Sequence, residues 1–191
     1  GNPTVRMFEE RLAALEGTED GFATASGMSA VNVTLMAAAR PGMRIVAARA
    51  LFGSCLYILE WLQKFGAEVV YVDGRSEAQW RAAITPGTDL VFLETISNPT
   101  LEVIDLALVA GLAREVGALS VVDNTFATPI GASAACQGVD VVIYSSTKHI
   151  DGGGRGLGRD DAHGHGGRRD GAAHRHAGLD AHAQQREPGK V

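Results

Sequence analysis

Leu119-Ser120-Val121-Val122-Asp123-Asn124-Thr125 is a mostly apolar run that stops on an acid and two small polar residues. Val141-Val142-Ile143-Tyr144-Ser145-Ser146-Thr147-Lys148-His149 repeats the plan further on, with a lysine after the polar step. Neither run alternates apolar with polar, so both faces of each strand are expected to be buried, as in a parallel sheet covered by helices. Outward from these two strands, at residues 119–123 and 140–144, the same reading expects strands at 22–24, 44–48, 68–72 and 89–94.

Helical patterns fill the intervals. Asn2 followed by Pro3 is a helix start, with an acceptor at the cap and then a residue whose missing N–H costs nothing there. Val5, Phe8, Leu12 and Leu15 follow at helical spacing, and Gly17 is the stop. Further helices are expected over residues 28–39, over 56–65, from a Ser76 cap to Ile84, and from an Asp105 cap to Gly117. In the last of these, Leu106, Val109, Leu112 and Val116 are expected to face inward. The predicted fold class is therefore α/β, a mainly parallel sheet sandwiched by helices.

Composition narrows the function. The 191 residues are 46% hydrophobic, enough for one well-cored domain and too apolar for a wholly disordered chain. A formal net charge of -5 gives no electrostatic case for nucleic acid or an anionic membrane. No apolar window reaches membrane-spanning length. Cys55 and Cys136 lie far apart without metal-type spacing and read as reduced thiols of a cytoplasmic protein. The chain opens on a helix cap with no initiator Met, from which a missing natural N-terminus is expected.

Past Asp151 the character changes. Between Gly152 and Val191 the large apolar residues are only Leu157, Leu179 and Val191, and neither a helical nor a strand period is present. Such a segment buries too little apolar surface to offset its ordering entropy, so residues 152–191 are expected to be a disordered tail behind a domain spanning 1–151. His163-x-His165 and His174-x-His176 admit a metal reading, but a Gly-rich tail offers no oriented second shell, and no metal site is expected.

Four segments carry chemistry, each at the expected carboxyl end of a strand, where open α/β sheets bind ligands. Asp123 can hold a protonated ring nitrogen, cap a helix or hold a metal as in nucleotide hydrolases. Lys148, among the hydroxyls of Ser145 and Thr147, reads either as an imine-forming lysine or as an ordinary surface lysine after a strand; no Gly-x-x-x-x-Gly precedes it, which excludes a P-loop. Ser26-Gly27-Met28 forms a turn into a helix N-terminus, a ready phosphate site. Glu94-Thr95-Ile96-Ser97-Asn98-Pro99 ends a strand in polar residues, with Asn98 held out of the helical region by Pro99. A dinucleotide-binding Rossmann domain is disfavoured, since no Gly-x-Gly-x-x-Gly follows the first strand.

In their order these segments, with Gly1-Asn2-Pro3-Thr4 ahead of them, resemble the fold-type-I pyridoxal-phosphate (PLP) enzymes of cysteine and methionine metabolism. The resemblance covers residues 1 to about 151. It implies PLP as cofactor and the large domain of that fold, with the C-terminal small domain missing. It implies Lys148 as the Schiff-base lysine and Asp123 as partner of the pyridine nitrogen, with Thr125 beside it under the ring. Ser26, Gly27 and Met28 would hold the phosphate, aided by Ser145 and Thr147. Asn98 would lie near the cofactor phenolate and the substrate carboxylate, on a loop supported by Glu94. The ring-stacking position, usually Tyr in this family, is Phe52 here; it keeps the stacking surface and loses the phenol, which argues against the lyases.

Phe52 points to the O-succinylhomoserine sulfhydrylase branch: γ-replacement on an O-acylhomoserine by a sulfur nucleophile, giving homocysteine, in methionine and cysteine biosynthesis. The alternatives are cystathionine γ-synthase or lyase activity, or a catalytically inactive fragment that still binds PLP. A small amino-acid substrate and a homo-oligomer, a tetramer built from dimers, follow from the same resemblance. Family members continue past the lysine with a Gly-containing turn and an apolar strand, whereas this chain turns to Arg, Asp and His. We therefore expect a reading-frame shift in the source. Sequencing the coding DNA should find the family's continuation in another frame; finding it uninterrupted in the present frame would overturn the expectation.

Overall fold

Asn2 caps the first helix as its side chain predicts: Oδ1 accepts from the Thr4 N–H at 3.0 Å, and α1 runs Pro3–Glu16. Gly17 ends it at φ 76°, a conformation that a side chain resists, and donates back to the Ala13 carbonyl. The computed structural model describes residues 2–153 and 159–163. Along them follow β1 (Asp20–Thr24), α2 (Gly27–Ala38), β2 (Arg44–Ala48), α3 (Gly53–Lys64), β3 (Glu68–Val72), α4 (Glu77–Ala83) and β4 (Leu90–Glu94). Then come α5 (Leu106–Val116), β5 (Leu119–Asp123), α6 (Thr128–Gly131), β6 (Val141–Ser145), a short turn of π-helix at Ser146–Ile150, and β7 (Arg159–His163).

The strands form one sheet in the order β1-β7-β6-β5-β4-β2-β3. The pairings among β2, β3, β4, β5 and β6 are all parallel. Every residue of β4 and β6 is buried, which requires cover on both faces and explains the unbroken apolar runs. The parallel α/β sandwich expected from the sequence is the observed architecture. Among the described residues no helix is long and apolar enough to cross a membrane, and both cysteines are free thiols.

Three local expectations are corrected. Leu15 is exposed rather than inward, because the buried stripe of α1 runs through Leu12, Ala13 and, unexpectedly, Glu16. Helix α3 starts at Gly53, earlier than residue 56; its cap, Phe52, has no side-chain capping bond, so the usual sequence signal is missing. Residues 159–163, inside the segment expected to lack order, run as β7 between β6 and β1 and antiparallel to both. The backbone of any extended segment can fill such a gap, so the pairing leaves no side-chain period to read. Residues 154–158 and 164–191, with the other expectations for the tail, lie outside the described residues.

Trp80 anchors α4 against α5. Its ring is 1% exposed, and its Nε1–H donates to the Gly74 carbonyl at 2.8 Å. Trp80→Ala is expected to destabilise the chain by about 3–5 kcal/mol through cavity and transfer losses. Trp80→Phe, which keeps much of the volume, should cost less; urea unfolding of the three chains checks the ranking.

Candidate active site

Parallel strands place all their carboxyl ends on one edge, and the chain order reverses between β2 and β4, where a crevice opens. A cavity of about 380 Å³ lies there. Its walls come from the segments following β1, β2, β4, β5 and β6. Ser26, Gly27, Met28, Phe52, Asn98, Asp123, Thr125, Ser145, Thr147 and Lys148, the ten residues singled out from the sequence, all line it.

The floor is acidic. Glu94 and Asp123 end their strands as direct neighbours in the β4–β5 ladder, and both are buried. The Cys55 thiol, from the first turn of α3, joins them, with the three ligand atoms within 4.8 Å of one another. Asp123 Oδ1 accepts the Thr125 N–H at 3.0 Å, and the Thr125 hydroxyl accepts the Ser145 N–H at 2.9 Å, so the turns after β5 and β6 are fastened together.

Glu94 holds two walls at once. Oε1 accepts the Phe52 N–H at 2.6 Å and Oε2 the Asn98 N–H at 2.9 Å. A carboxylate suits this place because both partners are N–H donors; an amide would meet one of them with its own N–H. The bond from Phe52 fixes the residue that precedes the first turn of α3. The Asn98–Pro99 peptide is cis, and the loop beyond it is closed by Ser97, whose N–H donates to the Glu102 carbonyl at 2.9 Å.

At the opposite wall Ser26 spends its hydroxyl on the helix, accepting the Ser29 N–H at 3.2 Å. The backbone ladder of α2 begins with the Ala30 N–H on the Ser26 carbonyl, so the Gly27 and Met28 N–H groups stand at the head of the helix, at its positive end. Lys148 sits at the rim and is exposed rather than packed among the hydroxyls as the sequence suggested. The turn Ser146–Ile150 carries it out of the sheet instead of continuing β6.

Ser54, Ile96 and Phe126 also line the cavity and were not anticipated. Each adjoins or lies close to a residue that was; Ser54 is brought in by the first turn of α3, and Ile96 and Phe126 by the segments after β4 and β5. Phe126 additionally packs its ring against His149, centroids 6.0 Å apart, at the Lys148 rim.

Comparison with known proteins shows the family and the fold. A family model described as Cys/Met metabolism PLP-dependent enzyme matches residues 1–158, running past Asp151. The O-succinylhomoserine sulfhydrylase of Mycobacterium tuberculosis (strain CDC 1551 / Oshkosh) is 52% identical over 83% of this chain, and that of Pseudomonas aeruginosa is 47% identical over 82%. In each case the match covers 39% of the relative, so the chain spans about two fifths of their length. The crystal structure of metB from Corynebacterium glutamicum superposes with a TM-score of 0.83 at 34% identity, over 86% of this chain and 43% of that one. The chain belongs to the Cys/Met metabolism PLP-dependent enzyme family.

Proposed function

We propose that the cavity is the seat of PLP, with Lys148 as its covalent attachment point, and that the protein replaces the γ-substituent of an O-acylated homoserine with a sulfur nucleophile. The observation that carries this reading is the convergence of a lysine, a buried carboxylate, an aromatic face and a helix N-terminus on one cavity.

Those groups fit the cofactor's chemistry one by one. The volume lies in the usual range for small-molecule sites. The head of α2, with Gly27, Met28 and the nearby Thr147 hydroxyl, suits a phosphate. Asp123, buried beside Glu94, suits a protonated pyridine nitrogen, since a cation there relieves the proximity of two carboxylates. Phe52 offers its ring face for stacking and is 43% exposed at the cavity mouth. PLP bound in this way supplies an electron sink for bond breaking at the substrate Cα.

The chain's own groups do the rest. Lys148 Nζ takes up and returns the proton at the substrate Cα, for which its place on the open rim is suitable. Asp123 keeps the ring nitrogen protonated. Asn98 orients the substrate, its backbone fixed by Glu94. Phe52 presents no phenol to the leaving group, so that position stacks and excludes water without moving a proton. Phe52 and the identity to two O-succinylhomoserine sulfhydrylases favour an O-succinyl substrate and sulfide as nucleophile, giving homocysteine.

Two experiments test the reading. Incubation of the purified chain with PLP, borohydride reduction and peptide mass spectrometry should find one stoichiometric adduct on Lys148, absent in Lys148→Ala. Labelling scattered over other lysines would defeat the assignment. Glu94→Gln should weaken PLP binding about ten- to hundredfold, the loss expected for one charge-assisted hydrogen bond replaced by a donor facing a donor; an unchanged dissociation constant would show that Glu94 does not shape the site.

A further inference from the structure

Glu16 is an oddity of the core. It sits at the end of α1 with no exposed surface, and none of the ion pairs among the described residues includes it. Its oxygens face donors instead. Oε2 accepts from the Ser133 hydroxyl and from the Ala135 N–H, both at 3.2 Å, and Oε1 is bonded by the Tyr144 hydroxyl. Burial pushes the carboxyl above its ordinary pKa range, while the Ala135 N–H and the Ser133 hydroxyl pull the other way. A proton on Oε2 has the Ser133 oxygen to go to, so Oε1 accepts from Tyr144 in either state.

The direction of every bond beyond Tyr144 can be deduced. Asn124 Nδ2 lies 2.7 Å from the Ala132 carbonyl and 3.4 Å from that of Thr128; carbonyls only accept, so the amide orientation is fixed. The second Nδ2 proton goes to the Tyr144 oxygen at 2.6 Å, which sends the Tyr144 proton to Glu16. At the far end Asn124 Oδ1 accepts the Thr95 hydroxyl at 2.6 Å. Thr95, Asn124 and Tyr144 thus form a chain in which each member donates toward Glu16. All four residues are buried, where such chains polarise one another.

Each link adjoins a residue of the cavity. Thr95 follows Glu94, Asn124 follows Asp123, and Tyr144 precedes Ser145. Successive residues of extended chain point to opposite faces, so the chain lies behind the sheet edge whose front carries the pocket.

We propose that Glu16 is a positioning residue. From the back of the sheet it sets the direction of the hydrogen-bond chain that ties together the ends of β4, β5 and β6. It thereby fixes where Glu94, Asp123 and Ser145 stand in the cavity. The consequence for the cofactor rests on the function proposed above; the coupling between the strand ends does not.

Hydrogen exchange by mass spectrometry, without PLP, decides the coupling. The full chain is compared with Glu16→Gln, Thr95→Val and the double variant. With Nε2 in place of Oε2 the Gln amide sets its N–H against that of Ala135, and with Nε2 in place of Oε1 it meets the Tyr144 proton and the Asn124 amide. Glu16→Gln should speed exchange about tenfold in residues 94–98 and 123–128, far from the substituted side chain in sequence. Thr95→Val, which leaves Glu16 intact should it prove indispensable for folding, should speed exchange in 123–128. The double variant should exceed the larger single effect only slightly, since both changes break one chain.

Loosening confined to α1 and residues 133–137 in Glu16→Gln, or effects that add in the double variant, would overturn the proposal. PLP titration of the same proteins gives the second readout: both single variants should bind about tenfold more weakly and shift the visible band of the bound cofactor. If the unsubstituted chain takes up no PLP at Lys148 the functional reading fails, while the exchange pattern still decides the role of Glu16.

Discussion

The β4–β5 register is the constraint on which the cavity depends. Parallel pairing sets Glu94 opposite Asp123, so two strand-ending carboxylates share one buried stretch of sheet edge. Like charges so close are costly in a low dielectric unless donors surround them. The chain supplies donors from the loops: Phe52 and Asn98 to Glu94, and Thr125 to Asp123. Satisfying the floor therefore shapes the walls. The segments after β2, β4 and β5 take the conformations that point their N–H groups downward, and their side chains ring the space above.

Behind the same edge a second polar layer solves a different problem. Thr95, Asn124, Tyr144 and Glu16 fill a region that an apolar core would leave without directionality. Buried polar groups with every bond made specify one arrangement more sharply than packing does, because each alternative orientation strands a donor or an acceptor. One sheet edge thus carries an acidic front facing the cavity and a one-way chain of hydroxyl and amide groups at its back.

Much of this was legible in the sequence because it rests on local rules. Helix starts at Asn2, Ser76 and Asp105 were visible as caps, and each side chain accepts a first-turn N–H. Buried strands were visible as unbroken apolar runs, and the loops that line the cavity as polar steps after them. What escaped was non-local. Glu16 at the end of an amphipathic helix looks like any surface glutamate, since its partners at Asn124, Ser133, Ala135 and Tyr144 are over a hundred residues away. Phe52, ahead of α3, is held by Glu94, and β7 lies between two other strands. Such features follow from the assembled fold and leave no pattern within a window of sequence.

The charge balance of the cavity divides its labour. Among the described residues that line it, Lys148 is the one cation, against Glu94 and Asp123. For a cofactor phosphate the head of α2 presents N–H groups and a favourable dipole. An amino-acid substrate is different: its carboxylate must be held firmly enough to fix the Cα–H bond relative to the ring, and Asn98 brings a dipole rather than a charge. On the proposed function Lys148 serves the cofactor and the Cα proton, and these residues suit PLP better than they clamp a substrate carboxylate. On that reading cofactor attachment calls on less of the protein than turnover does, since a substrate carboxylate needs a cation beyond Lys148, the one cation among the described residues that line the cavity.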